Sequence, residues 1–255
     1  MRQEKYDCII DLHKNLRTAL LKAQLPFIKT YTFNKLNLEK WLLVNFKINC
    51  LPNRHLVDRY FKGLQSLGIT NDGQGLDFFI SQDMAALPSS LPDKYRAVVI
   101  GAGRATKSLT VERLVEIIDN SKQPIVLLGG SAEEKKAQEI VERTAKTVHN
   151  LVGRITLEQS AYCIQQAAVV ITGDTGLMHI AAAFQKPIYS IWGNTVPEFG
   201  MYPYYGQHPN QNTFIEVKNL ACRPCSKIGF DKCPKRHFKC IKNIGIDGLM
   251  DCTIH

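Results

Sequence analysis

The chain has 255 residues, of which 45% are hydrophobic and 22% charged, a balance that is ordinary for a globular protein. No apolar run approaches the ~18–20 residues that span a bilayer, and the N-terminus lacks a signal-peptide pattern, so we expect a soluble, cytoplasmic protein. The net charge of +9 favours an anionic partner such as nucleic acid, a membrane surface or a phosphorylated ligand. Because no RNA-recognition, zinc-finger or helix-turn-helix pattern occurs, we expect no nucleic-acid partner.

The first ninety-odd residues have an irregular pattern. Residues 6–11 and 77–80 predict short strands, residues 15–23 and 56–67 predict amphipathic helices, and the Pro- and Ser-rich stretch 87–92 predicts a linker. A strand at 6–11 needs sheet neighbours that so short a segment hardly supplies.

From residue 95 onward, apolar runs alternate with amphipathic stretches. The predicted strands are 97–100, 124–128, 168–172 and 187–191, and the predicted helices are 111–120, 132–144, 157–166 and 175–184. Ser131 with Glu134, and Thr156 with Gln159, fit the capping-box pattern of helix starts. This alternation predicts a parallel sheet that is covered by helices on both faces.

The first motif that could carry chemistry is Gly-Ala-Gly-Arg-Ala-Thr-Lys at residues 101–107, between a strand and a helix. Glycines at the carboxyl end of a parallel strand let backbone amides approach an anion. Thr106 would add a hydroxyl and Lys107 a positive charge for phosphate oxygens. The motif is neither a Walker loop nor a complete dinucleotide fingerprint, and a tight turn with a solvated lysine is the alternative.

A second motif, at residues 129–134, also follows a predicted strand. Glu134 has the spacing of a capping partner for Ser131. Glu133 does not have that spacing, so its carboxylate is the candidate for accepting hydrogen bonds from ribose hydroxyls.

The third motif, at residues 172–183, joins a buried strand to a helix. Asp174 is expected at the N-cap, and Thr175 and Gly176 would present amides where the helix dipole favours a pyrophosphate. His179 lies one turn further on, and a structural role is the alternative reading for it.

Four of the eight cysteines cluster near the C-terminus: Cys222, Cys225, Cys233 and Cys240. They could bind structural zinc, although the second pair is spaced too widely for an ordinary zinc ribbon. Reduced thiols in a packed loop and disulfides are the other readings, and redox catalysis is not expected because no thioredoxin-like unit surrounds the C-x-x-C pair.

Asp-Thr-Gly-Leu-Met-His-Ile-Ala-Ala-Ala at 174–183, with residues 185–195, is very similar to the signature of glycosyltransferase family 9. The best-known members of that family transfer heptose from ADP-heptose to the inner core of lipopolysaccharide. Residues 101–107 resemble the family's phosphate loop, and residues 130–133 resemble its ribose-side element. Residues 11–17 and 55–60 resemble stretches whose basic residues face the acceptor, so Arg17 and Arg59 become acceptor-side candidates.

The resemblance implies an α/β, GT-B-like fold of two Rossmann-like domains with parallel sheets, the N-terminal one incomplete. The expected parts are an acceptor-side domain at 1–92, a donor-binding domain at 93–240, and a segment at 241–255 that packs back towards the N-terminal domain. Family members begin with a segment containing Ile-Gly-Asp, whose aspartate is the expected general base. We expect this chain to be truncated and to lack that segment.

The resemblance also implies an inverting transfer in which Lys107 stabilises the leaving diphosphate, without a metal or other cofactor. The implied donor-site residues are Thr106, Lys107, Glu133, Asp174, Thr175, Gly176 and His179. The implied partners are an ADP-sugar donor, a phosphorylated lipid A–core acceptor and the cytoplasmic face of the inner membrane.

Three other functions remain open from the sequence. The first is a nucleotide-sugar-binding module without activity, which would follow from the missing catalytic segment. The second is a GT-B-like sugar-nucleotide epimerase, for which we can assign no acidic catalytic residues. The third is an NAD-dependent dehydrogenase, which is disfavoured because no acidic residue ends a second strand where it would meet the ribose.

Overall fold

The computed structural model describes residues 5–250, which divide into two compact units. The first unit runs to Asp72 and includes Glu198–Gly200, and the second contains Gly73–Pro197 and the chain from Met201. The boundary therefore lies near residue 72, whereas the sequence placed it at residue 92. Leu87 and Leu91 pack against the core of the second unit. No helix within residues 5–250 is long and apolar enough to cross a membrane.

The first unit contains a two-stranded parallel sheet and three helices. Strand β1 (Cys8–Asp11) pairs with β2 (Lys29–Thr32), and α1 (Leu16–Ala23) connects them. Helices α2 (Asn37–Phe46) and α3 (Leu56–Lys62) follow. The structure thus has the first predicted strand and both predicted helices of this region, although α3 ends five residues earlier than the sequence indicated.

The second unit is built on a six-stranded parallel sheet. Its strands are β3 (Arg96–Val99), β4 (Ile125–Leu128), β5 (Val148–Asn150), β6 (Val169–Gly173), β7 (Ile188–Trp192) and β8 (Asn212–Glu216). Their order in the sheet is β5-β4-β3-β6-β7-β8. The strand order therefore reverses between β3 and β6, which is the Rossmann arrangement.

Helices cover both faces of this sheet, as the sequence predicted. They are α4 (Val111–Asp119), α5 (Glu134–Arg143), α6 (Leu157–Gln166), α7 (Gly176–Ala183), α8 (Lys239–Lys242) and α9 (Asp247–Met250). Val98 belongs to the apolar cluster that contains α4 and α5 side chains, whereas Val99 belongs to the cluster of α6 and α7. Successive strand residues point to opposite faces, so each strand contributes to both clusters. The α/β class with parallel sheets is confirmed.

The predicted strand at 77–80 is wrong. Those residues pair with no strand. The Phe78 ring packs edge-on against Phe184, with 6.0 Å between the ring centroids. The apolar side chain that suggested a strand thus packs against the end of α7.

The C-terminal segment contributes side chains to the core of the second unit. Ile241 and Ile244 are fully buried in the core of the second unit, and Arg96 donates to the carbonyl of Leu249 at 2.6 Å. This part of the C-terminal segment therefore belongs to the second unit, and its packing towards the N-terminal domain stays a prediction. Residues 251–255 lie outside the described part of the chain.

Candidate functional site

The loops that the sequence singled out meet at one edge of the six-stranded sheet. Because all six strands are parallel, the loops after β3, β4, β6 and β7 leave from the same edge. The loops after β3 and β6 flank the point where the strand order reverses. In open parallel sheets, ligands bind in the crevice at that point.

An ion pair joins the loops after β3 and β6. Lys107 Nζ lies 2.6 Å from the Asp174 carboxylate and 3.3 Å from its carbonyl oxygen. Both side chains are largely buried. A Cβ on Gly173 would lie 2.8 Å from the carbonyl oxygen of Lys107, so a glycine at this position lets the two loops approach. The structure therefore brings together two of the predicted donor-site residues.

Asp174 is not the N-cap of α7, which corrects the sequence prediction. Thr175 takes that position and accepts the N–H of Met178 through its hydroxyl, at 3.4 Å. The Asp174 carboxylate instead accepts from the Thr195 hydroxyl at 3.2 Å, in addition to its contact with Lys107. Gly176 begins the helix and is exposed, so the positive end of the helix dipole is accessible to an anion.

The Thr106 hydroxyl does not have the accessibility that a phosphate ligand requires. The residue is 1% exposed, and its Oγ1 lies 2.9 Å from Asn194 Oδ1 and accepts the N–H of Phe230 at 2.8 Å. Its side chain therefore holds the loop after β3 to two other loops. Thr106 supports Lys107 in position, which corrects its expected direct role towards phosphate.

The capping roles predicted for Glu133 and Glu134 are reversed. Glu133 accepts the N–H of Gly130 at 3.0 Å, so Glu133, and not Glu134, caps this turn. A Cβ on Gly101 would lie 2.8 Å from the Glu133 carboxyl carbon, which puts this carboxylate beside the loop after β3. The Glu134 side chain lies against Gly153 instead. Glu133 thus lies at the candidate site, with part of its hydrogen-bonding capacity already used.

His179 is partly buried on α7, one turn from the helix start. Burial lowers the pKa of its imidazole, with Asp174 opposing that shift and Lys107 adding to it. The imidazole is therefore predominantly neutral at pH 7, and can donate or accept a hydrogen bond without adding charge.

Sequence reasoning missed the loop after β7 and its support. Arg223 donates to the carbonyl of Gly193 at 2.7 Å and to that of Thr195 at 2.9 Å, and its guanidinium lies 2.6 Å from the Glu216 carboxylate. These contacts fix the loop whose Thr195 hydroxyl contacts Asp174. The only sequence signal was the similarity of residues 185–195 to a family signature, which assigned no role to Thr195 or Arg223.

The two arginines of the first unit differ in accessibility. Arg17 is exposed on α1. Arg59 is buried and donates through Nη2 to the carbonyl of Phe199 at 3.0 Å. Burial lowers the pKa of Arg59, partly opposed by Tyr60. An exposed acceptor-binding role is thus compatible with Arg17, whereas the Arg59 side chain is committed to the interior of its unit.

The four clustered cysteines form no disulfide within the described residues. Burial raises the pKa of Cys240 to about 11, and the nearby thiols of Cys225, Cys233 and Cys222 add to the shift. Burial also raises the pKa of Cys233, but backbone N–H groups of residues 235–238 outweigh that effect and lower it. Across residues 5–250, no three His, Cys, Asp or Glu side chains are grouped so that they could hold a metal ion.

This chain is similar to known proteins along most of its length. The family model of glycosyltransferase family 9 (heptosyltransferase) matches residues 1–230. Lipooligosaccharide heptosyltransferase 2 of Haemophilus influenzae is 30% identical over 91 residues, which are 34% of this chain and 26% of that protein. The matched region thus spans about a quarter of the length of this curated relative.

Two solved structures share the fold. The glycosyl transferase family 9 protein from Veillonella parvula has a TM-score of 0.65 at 22% identity, over 86% of this chain and 65% of that chain. The ADP-heptose lps heptosyltransferase II of E. coli has a TM-score of 0.61 at 18% identity, over 98% of this chain and 78% of that chain. Since the family model covers most of its length, this chain belongs to glycosyltransferase family 9, the heptosyltransferase family.

Proposed function

We propose that this protein transfers a heptose, or a similar glycosyl group, from ADP-heptose to the inner core of lipopolysaccharide with inversion. The observation that carries the proposal is the ion pair of Lys107 and Asp174 at the start of α7. It orients a cation at the point where the strand order reverses, which is where we propose that the departing ADP gains negative charge. The relatives are named as heptosyltransferases of lipooligosaccharide or lipopolysaccharide, which supports the same substrate class for this chain.

The leaving group determines what these residues do. When the bond between the anomeric carbon and the diphosphate breaks, charge accumulates on the diphosphate oxygens. Lys107 and the first amides of α7, at Thr175 and Gly176, would stabilise that charge without reorganising. A cation held beforehand by Asp174 is already oriented when the charge develops.

The remaining donor contacts follow from the adjacent loops. Glu133, in the turn after β4, is proposed to accept from ribose hydroxyls. Neutral His179 is proposed to contact the nucleotide without opposing its charge. On the acceptor side, exposed Arg17 and the net charge of +9 suit a phosphorylated glycolipid at the cytoplasmic face of the inner membrane. Inversion also requires a general base that deprotonates the acceptor hydroxyl, a role we assign to none of the described residues.

The experiment is a calorimetric titration of the whole chain with ADP, and with UDP for comparison. We expect ADP to bind more tightly than UDP, and Lys107→Ala to weaken ADP binding by roughly 10- to 100-fold, since charged hydrogen bonds contribute about 1.5–3 kcal/mol. Asp174→Ala should weaken binding in the same direction, because Lys107 loses the group that orients it. Lys135→Ala, which removes an exposed lysine of α5, is the matched control and should bind ADP like the wild type.

Transfer is then measured as ADP release from ADP-heptose in the presence of a lipid A–core acceptor. Binding of ADP without transfer would support a nucleotide-sugar-binding module in place of an active enzyme. Equal affinity for ADP in the wild type and Lys107→Ala would contradict the proposed donor site.

A further inference from the structure

Lys136 carries a positive charge at a position where the helix dipole disfavours a cation. It lies in the first turn of α5, next to the positive end of the helix dipole. Its ammonium contacts three oxygens: the carbonyl of Leu109 at 2.6 Å, the carbonyl of Ile100 at 3.2 Å, and the hydroxyl of Ser108. A protonated lysine has three N–H donors, so each donor has an acceptor here. These contacts offset the unfavourable position of the charge.

The three acceptors share a location: they flank the loop after β3. Ile100 precedes residues 101–107, whereas Ser108 and Leu109 follow them. The Ser108 hydroxyl also donates to the Ile100 carbonyl at 3.0 Å, which joins the two ends directly. Lys136 therefore closes the base of the loop that carries Lys107.

We propose that Lys136 is a positioning residue whose positive charge keeps the loop of residues 101–107 in the conformation that binds the diphosphate of the donor. The inference rests on the proposed nucleotide site, because the loop matters only if Lys107 contacts the ligand. Lys136 itself contacts the two ends of the loop and would act through Lys107.

The charge of Lys136 can be changed within a workable pH range. Burial lowers the pKa of its ammonium to about 8, and the neighbouring Glu133 carboxylate opposes that shift. Glu133 is the charged group that acts on the pKa of Lys136. Lys107 is the cation carried by the loop of residues 101–107. Deprotonation leaves two N–H donors for three oxygens, so one contact and the charge are both lost. Nucleotide affinity should therefore decrease as the pH rises through about 8.

The contribution of Lys136 to folding stability changes with pH in the opposite direction to its expected contribution to nucleotide affinity. Its pKa in the folded state, about 8, is below the ordinary value of 10.5, so between these values the unfolded chain binds more protons. Stability from this group therefore increases with pH in that window. A decrease in affinity at pH 9 thus cannot result from Lys136 destabilising the fold.

The test measures the Kd for ADP between pH 7 and pH 9.5 in the wild-type chain, Lys136→Met, Lys136→Arg and the control Lys135→Met. We expect the wild type and Lys135→Met to lose affinity by about fivefold or more over this range. Lys136→Met should bind weakly at every pH, whereas Lys136→Arg should bind at pH 7 like the wild type and lose the pH dependence centred near 8. Thermal unfolding of each variant establishes that it is folded.

Two results would overturn the inference and can be told apart. If the wild type binds ADP but Lys136→Arg keeps the same pH profile, Lys136 does not position the loop, and the proposed function stands. If the wild type binds no ADP at any pH, the proposed function fails and the role of Lys136 fails with it.

Discussion

Lys107, Lys136 and Arg223 are cations that protein oxygens orient in the second unit. Asp174 holds Lys107, the ends of one loop hold Lys136, and Glu216 with three backbone carbonyls holds Arg223. Catalytic stabilisation of developing charge depends on groups that are oriented in advance. Arg59 shows the contrasting case, because its guanidinium is buried in the first unit against a backbone carbonyl.

Cys163 on α6 makes stability sensitive to alkali. Burial raises the pKa of its thiol from 9.0 to about 11. Because the folded-state pKa is the higher one, the unfolded chain loses this proton first, and the stabilisation decreases as the pH rises from 9 to 11. We predict that this residue alone accounts for a loss on the order of 2–3 kcal/mol in the free energy of unfolding.

Urea unfolding at pH 8, 9.5 and 11 measures that loss. Cys163→Ala should show a smaller decrease between pH 8 and pH 11 than the wild type, whereas Cys50→Ala, at an exposed position, should show the same decrease as the wild type. Equal pH slopes for Cys163→Ala and the wild type would rule out the buried thiol as the source.

At the scale of elements, periodicity predicted the strands and helices that form the centre of the second unit. Every residue of β3, β4, β6 and β7 is buried and most are apolar, so their sequence signal is strong. β5 has three partly buried residues, and β8 exposes Thr213 and Phe214. Short or half-exposed edge strands lack a hydrophobic pattern, because hydrogen bonds to a neighbour, not burial, define them.

The candidate site was predictable where a motif follows a buried strand. It was less predictable where a side chain's hydrogen-bond partners are distant in the sequence. Lys107 and Asp174 belong to motifs at strand ends, and the topology brings them together. The partners of Thr106 are Asn194 and Phe230, 88 and 124 positions later in the chain. Sequence spacing carries no information about such contacts. The sequence therefore predicts a phosphate contact for the Thr106 hydroxyl, whereas in the structure this hydroxyl holds loops together.

The close approach of the loops after β3 and β7 gives a prediction at this scale. A Cβ on Gly193 would overlap the carbonyl oxygen of Thr106 and would approach the Ile241 side chain to 2.5 Å. Gly193→Ala must therefore displace backbone, and we expect a loss of about 1–3 kcal/mol in stability together with weaker ADP binding. Thermal unfolding and ADP titration measure both effects.

Gly245→Ala is the matched control, because a Cβ there meets nothing within 4 Å. It should leave both stability and ADP affinity close to the wild-type values. Unchanged ADP affinity in a folded Gly193→Ala variant would show that the contact between these loops does not shape the site.

On the scale of the whole molecule, the two units differ in how much apolar surface they bury. The largest fully buried side chains, which include Trp192, Tyr95 and Leu128, all lie in the second unit. The first unit leaves several large apolar side chains exposed, among them Leu16, Leu20 and Phe27. A small core of this kind rarely supplies more than about 3–5 kcal/mol. The first unit should therefore be the less stable of the two.

The two tryptophans of the chain report the units separately. Trp41 lies on α2 in the first unit and is 49% exposed, whereas Trp192 lies on β7 in the second and is 1% exposed. We predict that Trp41 fluorescence, followed in Trp192→Phe, changes at a lower urea concentration than Trp192 fluorescence, followed in Trp41→Phe. The wild type should then show two transitions, because each unit has its own core and loses it separately.

Trp192→Phe also replaces a buried indole by a smaller ring and weakens the second unit, so circular dichroism of the wild type provides the independent measurement. The first of its two transitions should coincide with the Trp41 signal and involve the smaller part of the helical signal, since the second unit contains more of the helices. A single transition at one urea concentration for both fluorophores and for circular dichroism would mean that the units unfold as one cooperative body. In that case, the stability of the first unit would depend on the second, and its exposed apolar side chains would not measure how easily it unfolds.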